Sequence, residues 1–596
     1  MRSRPHDAPP RPLAARAAAL LLTVLLGACA TLPAPVGDLS PSHSPRTERA
    51  ETLYAQGDLH GAAAEYLSLA RSQRGDMAAF YRLRAGEVLR DAGDLDGAER
   101  ALGDIHRRRL DAESAARLDL LDAEIALHRG DAARAKAMLL FDEASLSPSL
   151  RLRALELRAR AELADGNPLA SAQMRALLDR ELRDADRDHN RQQLQEALSR
   201  VPAEQLRARH ALLSPQDPLR PWIELALNAS GQSFARTLPQ PSRPVGTTLA
   251  DGAPEGYVPP HRVGLLLPAS QLDAISQSIR DGFLTAYFAD DPRTRPEVRI
   301  YDSGARPEDA IAAYRAAVAD GADLVVGPLQ REAVGALFRE PLATRVLALN
   351  HPDSGEVPPP GSAEFGLLPD TEGAQAAERM LARGIGRAAI VASDADWAER
   401  AARAFRAQFE AGGGSVVAET RIGDKDIDYS GAVRQAMPAS GDGGGVFISV
   451  RPQQGRLLVP QLRVAGIGGA IFATSHINAA DGNVALDRDL DGVEFCDAPW
   501  LFAPIAGRPS RNAVATRLAS ANGFGGRLFA FGMDAYALVP YLDWLAAHPD
   551  AYIAGATGEL TADSFGRVHR LVGWARFRYG VAEPADGALG AFPDAR

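Results

Sequence analysis

The sequence predicts an α + α/β chain, in which an all-α helical repeat is followed by a two-lobed α/β domain. Three observations carry this expectation. Four Gly-Asp or Gly-Asn pairs recur at a nearly constant spacing in the N-terminal third. A stretch rich in Pro, Gly, Ser and Thr follows at 230–260. Beyond it, short runs that are apolar throughout alternate with amphipathic segments, the pattern of parallel strands covered by helices on both faces.

The chain of 596 residues opens with arginines at positions 2, 4, 11 and 16, followed by the ten-residue apolar run Ala17–Leu26. That run is too short to cross a bilayer, which needs about 20 apolar residues, and it has the charged and apolar regions of an export signal. Leu26-Gly27-Ala28-Cys29 resembles the bacterial lipobox, in which the cysteine becomes the first mature residue and carries N-acyl and S-diacylglycerol groups. The resemblance implies a lipoprotein signal peptide at 1–28, lipidation at Cys29 and a tether at 29–46. Several acyl chains hold a protein to a bilayer firmly, whereas one holds it weakly, so the mature protein is expected to be anchored without spanning the membrane. Ala30, rather than Asp, after the cysteine implies sorting to the outer membrane, with the protein on its periplasmic side.

The repeat occupies 47–229. Its marker glycines are Gly57, Gly93, Gly130 and Gly166, spaced 36, 37 and 36 apart, a period that marks a solenoid. Glycine closes one helix in the left-handed conformation, and the following Asp58, Asp94, Asp131 or Asn167 is expected to accept hydrogen bonds from the first amides of the next helix. Five residues after each glycine stand Ala62, Ala98, Ala135 and Ser171, all small, as close packing of two helices requires. The pattern resembles tetratricopeptide repeats, and stacked hairpins of that kind offer an extended surface to a protein or polymer partner.

Residues 230–260 show neither helical nor strand periodicity and read as a linker. From 261 to 596 the strand candidates are "RVGLLLP", "VRIYDSG", "DLVVGPL" and "RVLALN", then "RAAIVAS", "SVVAETRI", "GVFISV" and "AIFATS". Amphipathic helices separate them, the first with Ile275, Ile279 and Phe283 on one face. Two such sets in one chain predict two lobes with a cleft between them.

Within this region "VGLLLPAS", "IRDGFLTAYF", "AYRAAVADGADLVVGPLQREAV", "FGLLPDTE", "GMDAYALVPYL" and "GATGELTADSFGRVHRLVGWARFRYG" occur in the order of the type I periplasmic-binding-protein fold. More narrowly, they resemble the penicillin-binding-protein activator lipoproteins, the LpoA or LppC family. The likeness runs from His261 to about Gly580, and the lipobox and the helical repeats agree with that family's layout. The resemblance implies an outer-membrane lipoprotein that docks on a bifunctional, class A penicillin-binding protein, stimulates its transpeptidase and so regulates peptidoglycan synthesis. Peptidoglycan itself is left open as a further partner. Only Cys29 is carried over as a site residue; the partner-binding residues stay unassigned.

The alternative expectation is a lipid-anchored receptor that closes its cleft on an amino acid, peptide or muropeptide. Type I amino-acid receptors hold the ligand carboxylate with hydroxyls after the third strand, where this chain has Gln330, Arg331 and Glu332. The usual anchor is therefore missing, although an arginine could grip an anion through its bidentate fork.

Composition narrows the remaining classes. A net charge of -10 with no long basic block argues against a nucleic-acid partner. With Cys29 lipidated, Cys496 in "GVEFCDAPW" has no intrachain partner and reads as a small core residue. The only lysines, Lys136 and Lys425, follow Ala135 and Asp424, so no Gly-Lys phosphate loop exists. No His-Glu-x-x-His pair, Gly-x-Ser-x-Gly elbow or Ser-x-x-Lys motif occurs. The glycine runs "AGGGS" and "GDGGGV" read as turns before strands. No catalytic residue, metal or cofactor is expected, and the protein is read as a regulator rather than an enzyme.

Overall fold

The structure is a computed structural model that describes residues 45–140, 146–214, 217–229, 235–236, 238–245, 255–269, 273–353, 356–467, 470–563 and 565–585. Cys29, the signal peptide and most of the tether lie outside the described residues. The chain divides into two compact units, Met1–Pro202 and Ala203–Arg596.

The first unit is helical throughout its described residues. Helices Pro45–Ala55, Gly75–Asp91, Ala112–His128 and Pro148–Ala164 each end just before one of the four marker glycines, whose φ angles are 81°, 78°, 77° and 78°. Amides three positions past each helix end reach back to its last turn, as when Asp94 N–H donates to the Leu89 carbonyl at 2.9 Å, so the left-handed glycine satisfies carbonyls the helix leaves open. Asp58, Asp94 and Asp131 then cap the next helix, accepting from Gly61 N, Gly97 N and Arg134 N at 2.9, 2.7 and 2.9 Å. Asn167 departs from the pattern. Its side chain makes no cap bond, and its amide donates instead to Glu162 and Asp165, both at 3.1 Å. Pro168, at the first turn of that helix, has no N–H and so leaves one fewer open amide at the helix start. Ala62, Ala98, Ala135 and Ser171 are all fully buried, as small residues between packed helices should be.

The second unit opens with helices Ala203–Leu212 and Arg220–Ala229, and its strands form two lobes. In the first lobe five strands lie in the order 297–302, 262–267, 324–326, 346–348 and 363–364, every neighbouring pair parallel. Helices Asp273–Ala289 and Gly525–Leu538 pack on this sheet, contributing Ile279, Phe283, Phe531 and Ala535 to one core with Val263, Leu265, Val326 and Leu347. In the second lobe seven strands lie in the order 581–584, 573–578, 494–497, 471–473, 444–449, 387–393 and 415–422. The five strands up to 494–497 pair in parallel, and the last two are added antiparallel. The chain thus passes between the lobes after strand 363–364, again before helix Gly525–Leu538, and finally between strands 568–571 and 573–578. The architecture is that of a two-lobed type I periplasmic-binding-protein-like domain behind a tetratricopeptide-like helical array.

One element has no counterpart in the sequence pattern. Strands 551–554, 559–562 and 568–571 form an antiparallel meander, and Arg243–Pro244 adds to it in parallel. Segment 568–571 alternates buried and partly exposed residues, the signature of a half-covered strand, but at four residues it is too short to stand out. The glycine runs fall where expected: Gly413, Gly441 and Gly443 have positive φ in turns before strands 415–422 and 444–449.

Candidate functional site

In each main sheet the strand order reverses at one point. The first-lobe strand 262–267 is flanked by 297–302 and 324–326, and the second-lobe strand 387–393 by 415–422 and 444–449. Open parallel sheets bind ligands in the crevice outside the carboxyl ends at such reversals. The cleft lies at these reversals, and Gln330, Arg331 and Glu332 follow strand 324–326 there.

Gln330 stands immediately before helix Arg331–Phe338, and its side-chain amide donates to the Ala305 carbonyl at 3.3 Å. Arg331 pairs with Asp353 at 2.6 Å and donates to the His351 carbonyl at 3.3 Å. Glu332 points into solvent. The guanidinium that could have anchored an anion is thus already held by a carboxylate of its own lobe.

The groups that do converge were invisible to motif reading. Arg527, near the start of helix Gly525–Leu538, is fully desolvated and grips Asp497 in the second lobe through Nε and Nη2, both contacts at 2.7 Å. The same Nη2 donates to the Ser475 carbonyl at 2.8 Å, and Asp497 also accepts from Asn478 Nδ2 at 3.0 Å. Burial lowers the Arg527 pKa, but Asp497 outweighs it and leaves the guanidinium above its ordinary value. Nearby, Arg570 of the meander meets Glu372 at 3.0 Å, with both side chains 3% exposed or less. Glu372 accepts in turn from Ser475 N–H at 3.0 Å. Gln375 completes the clamp: its Nε2 donates to the Arg570 carbonyl at 2.7 Å and its Oε1 accepts from Val572 N–H at 3.0 Å. Two buried ion pairs and a side-chain clip thus tie the lobes together beside their crossovers.

On the second-lobe side, His476 stacks on Trp397 with ring centroids 3.8 Å apart and planes within 9°. Burial, reinforced by Arg527, pushes its pKa down to about 3, so the ring is neutral at physiological pH. Cys496 is fully buried within strand 494–497, and burial pushes its thiol well up, which removes the thiolate a nucleophile needs. Among the described residues no group of three or more His, Cys, Asp or Glu could hold a metal ion.

Two apolar hollows lie elsewhere on this unit. One, of about 290 Å³, is lined by Val258, Pro540, Leu542, Trp544 and His548. The other, about 410 Å³ and open to solvent, runs between helices Ser430–Ala436 and Pro452–Val464 past Val433, Pro460 and Val464. The arrangement is a clamped cleft with two apolar hollows away from it.

Comparison with known proteins finds one family across most of the chain. The family model described as "LppC putative lipoprotein" matches residues 57–247 and 256–580. A relative from Photobacterium profundum, named penicillin-binding protein activator LpoA, is 27% identical over 486 residues, which cover 72% of this chain and 76% of the relative. One of the same name from Glaesserella parasuis is 24% identical over 563 residues, covering 89% of this chain and 93% of the relative. The crystal structure of full-length LpoA from Haemophilus influenzae is 19% identical, covers 88% of this chain and 98% of that one, and superposes with a TM-score of 0.47.

Proposed function

The chain belongs to the LppC lipoprotein family, and on that premise we propose that it is an activator of a penicillin-binding protein. It is lipidated at Cys29, held on the periplasmic face of the outer membrane, and docks on a class A penicillin-binding protein whose transpeptidase it stimulates. The observation that carries this reading is the match of one family model across both units, together with relatives named as activators that align over up to 93% of their length.

The geometry supports regulation by binding. Arg527, Asp497, Arg570 and Glu372 have one another as partners, so the strongest charges near the cleft hold structure. A partner that performs no chemistry stimulates an enzyme by binding its active state more tightly than its inactive one. The division of labour we propose has the helical array, 47–229, reach through the periplasm and the α/β domain, 261–596, engage the synthase. The Arg331–Asp353 pair counts against the receptor alternative.

The test is peptidoglycan cross-linking by a purified class A synthase from the same source, with and without this protein. A dose-dependent rise that penicillin abolishes is the expected result. No binding and no stimulation with any class A synthase of that organism would overturn the proposal.

A further inference from the structure

The segment between the helical array and the α/β domain grips both lobes. At its first described residues, Arg236 N–H donates to Gln408 Oε1 at 2.6 Å, and Gln408 Nε2 donates back to the Arg236 carbonyl at 3.2 Å. The Arg236 guanidinium lies 3.6 Å from Asp370. Gln408 and Asp370 sit on helices Asp396–Ala411 and Pro369–Ala382, both part of the second lobe. A few residues later the chain binds the first lobe. Ser242 and Arg243 donate their N–H groups to the Asp550 carbonyl at 2.9 and 3.1 Å, and Val245 N–H donates to the Tyr552 carbonyl at 2.7 Å, which makes Arg243–Pro244 the edge strand of the meander.

From these two grips we infer that residues 236–245 form a strap that holds the two lobes of the α/β domain at one angle. The six residue-to-residue steps from Arg236 to Ser242 reach at most about 21 Å when fully extended. A rotation that carries Gln408 away from Asp550 beyond that reach must break one end. The next described segments on either side are also packed against the first lobe. Upstream, Trp222 is 1% exposed and meets Phe565 edge-on at 4.4 Å. Downstream, a Cβ on Gly256 would fall 2.3 Å from the Trp544 ring, so the returning chain lies flat against the first lobe. Two-lobed receptors work by hinge closure around a ligand; a strap across the lobes opposes that motion. The second-lobe end is the weaker one, because it rests on the side chains of Gln408 and Asp370 rather than on backbone pairing. Its release removes the strap's hold on the second lobe while its first-lobe end stays bound. This inference concerns the lobes alone and stands whether or not the protein activates a synthase.

The test is an electron-spin distance measurement between labels at R293C and V464C, exposed positions on the first and second lobes. It uses the full chain carrying C29S, since Cys496 is buried. A single narrow distance is expected for this parent. R236A/Q408A, which opens the second-lobe end, and V245P, which removes one of the three first-lobe donors, should each broaden the distribution by about twofold or more, as freed hinge motion does. A broad or two-peaked parent, or variants folded by circular dichroism that keep the parent's width, would overturn the strap. Should R236A/Q408A unfold, V245P decides, because it breaks a single backbone hydrogen bond at the end of the edge strand.

Discussion

Replacing Asp497 by alanine isolates the tie between the lobes. Asp497 is fully buried and Arg527 is 5% exposed, so D497A strands a guanidinium with only the Ser475 and Asn478 carbonyls as acceptors, at 2.8 and 3.4 Å. Breaking a buried pair from one side costs about 3–5 kcal/mol, because the remaining charge stays desolvated and uncompensated. Removing both charges with D497A/R527M avoids that penalty and should recover about 2 kcal/mol or more of the loss. Urea unfolding followed by tryptophan fluorescence reads this unit selectively, since all five tryptophans lie in Ala203–Arg596. The expected result is a large fall in midpoint for D497A at an unchanged slope, with the double variant between it and the parent. A double variant no more stable than D497A would refute the argument that the stranded charge, rather than lost packing, dominates the cost.

Three further outcomes follow from other residues. Helices Asp273–Ala289 and Gly525–Leu538 touch through a reciprocal glycine pair: a Cβ on Gly532 would lie 2.0 Å from the Ile279 carbonyl, and one on Gly282 would lie 2.0 Å from that of Phe529. G532A must push the helices apart, so its fluorescence-detected midpoint should fall by the equivalent of about 3 kcal/mol, the upper end of overpacking, and a change within error would contradict the contact. His476 titrates near 3 in the fold against 6.5 in the unfolded chain. Between those values the unfolded chain binds a proton that the fold does not, so stability falls on acidification, by about 1.4 kcal/mol per pH unit and about 2 kcal/mol from pH 6.5 to 5. H476F should flatten that slope in urea midpoints taken at pH 7 and 5, and an unchanged slope would place the acid sensitivity elsewhere. C29S should abolish incorporation of labelled palmitate and move the protein from the membrane to the soluble fraction; a parent that is itself unlabelled and soluble would end the lipidation proposal.

Features written in a few adjacent residues are legible in the amino-acid sequence. The four glycines close helices because a left-handed turn suits a residue without Cβ, and the small residue five positions on is set by the width of one helical hairpin. The apolar runs of the parallel sheets and the lipobox pattern at Cys29 are equally local. Asn167 shows where this reasoning stops: its neighbours Glu162 and Asp165 compete for the amide and win over the cap.

Sequence by itself therefore determined the repeat, the kind of domain that follows it and the position of the expected anchor, because backbone preference and hydrophobic period act over a turn or a strand. Only the tertiary structure decided that Arg331 is paired to Asp353, that Arg570 finds Glu372 from 198 residues away, and that Arg243–Pro244 closes a sheet inside an apparently featureless linker. Those outcomes depend on which charges are desolvated together and which edge strand is left open. Desolvation and edge pairing become defined only when distant segments share one interior.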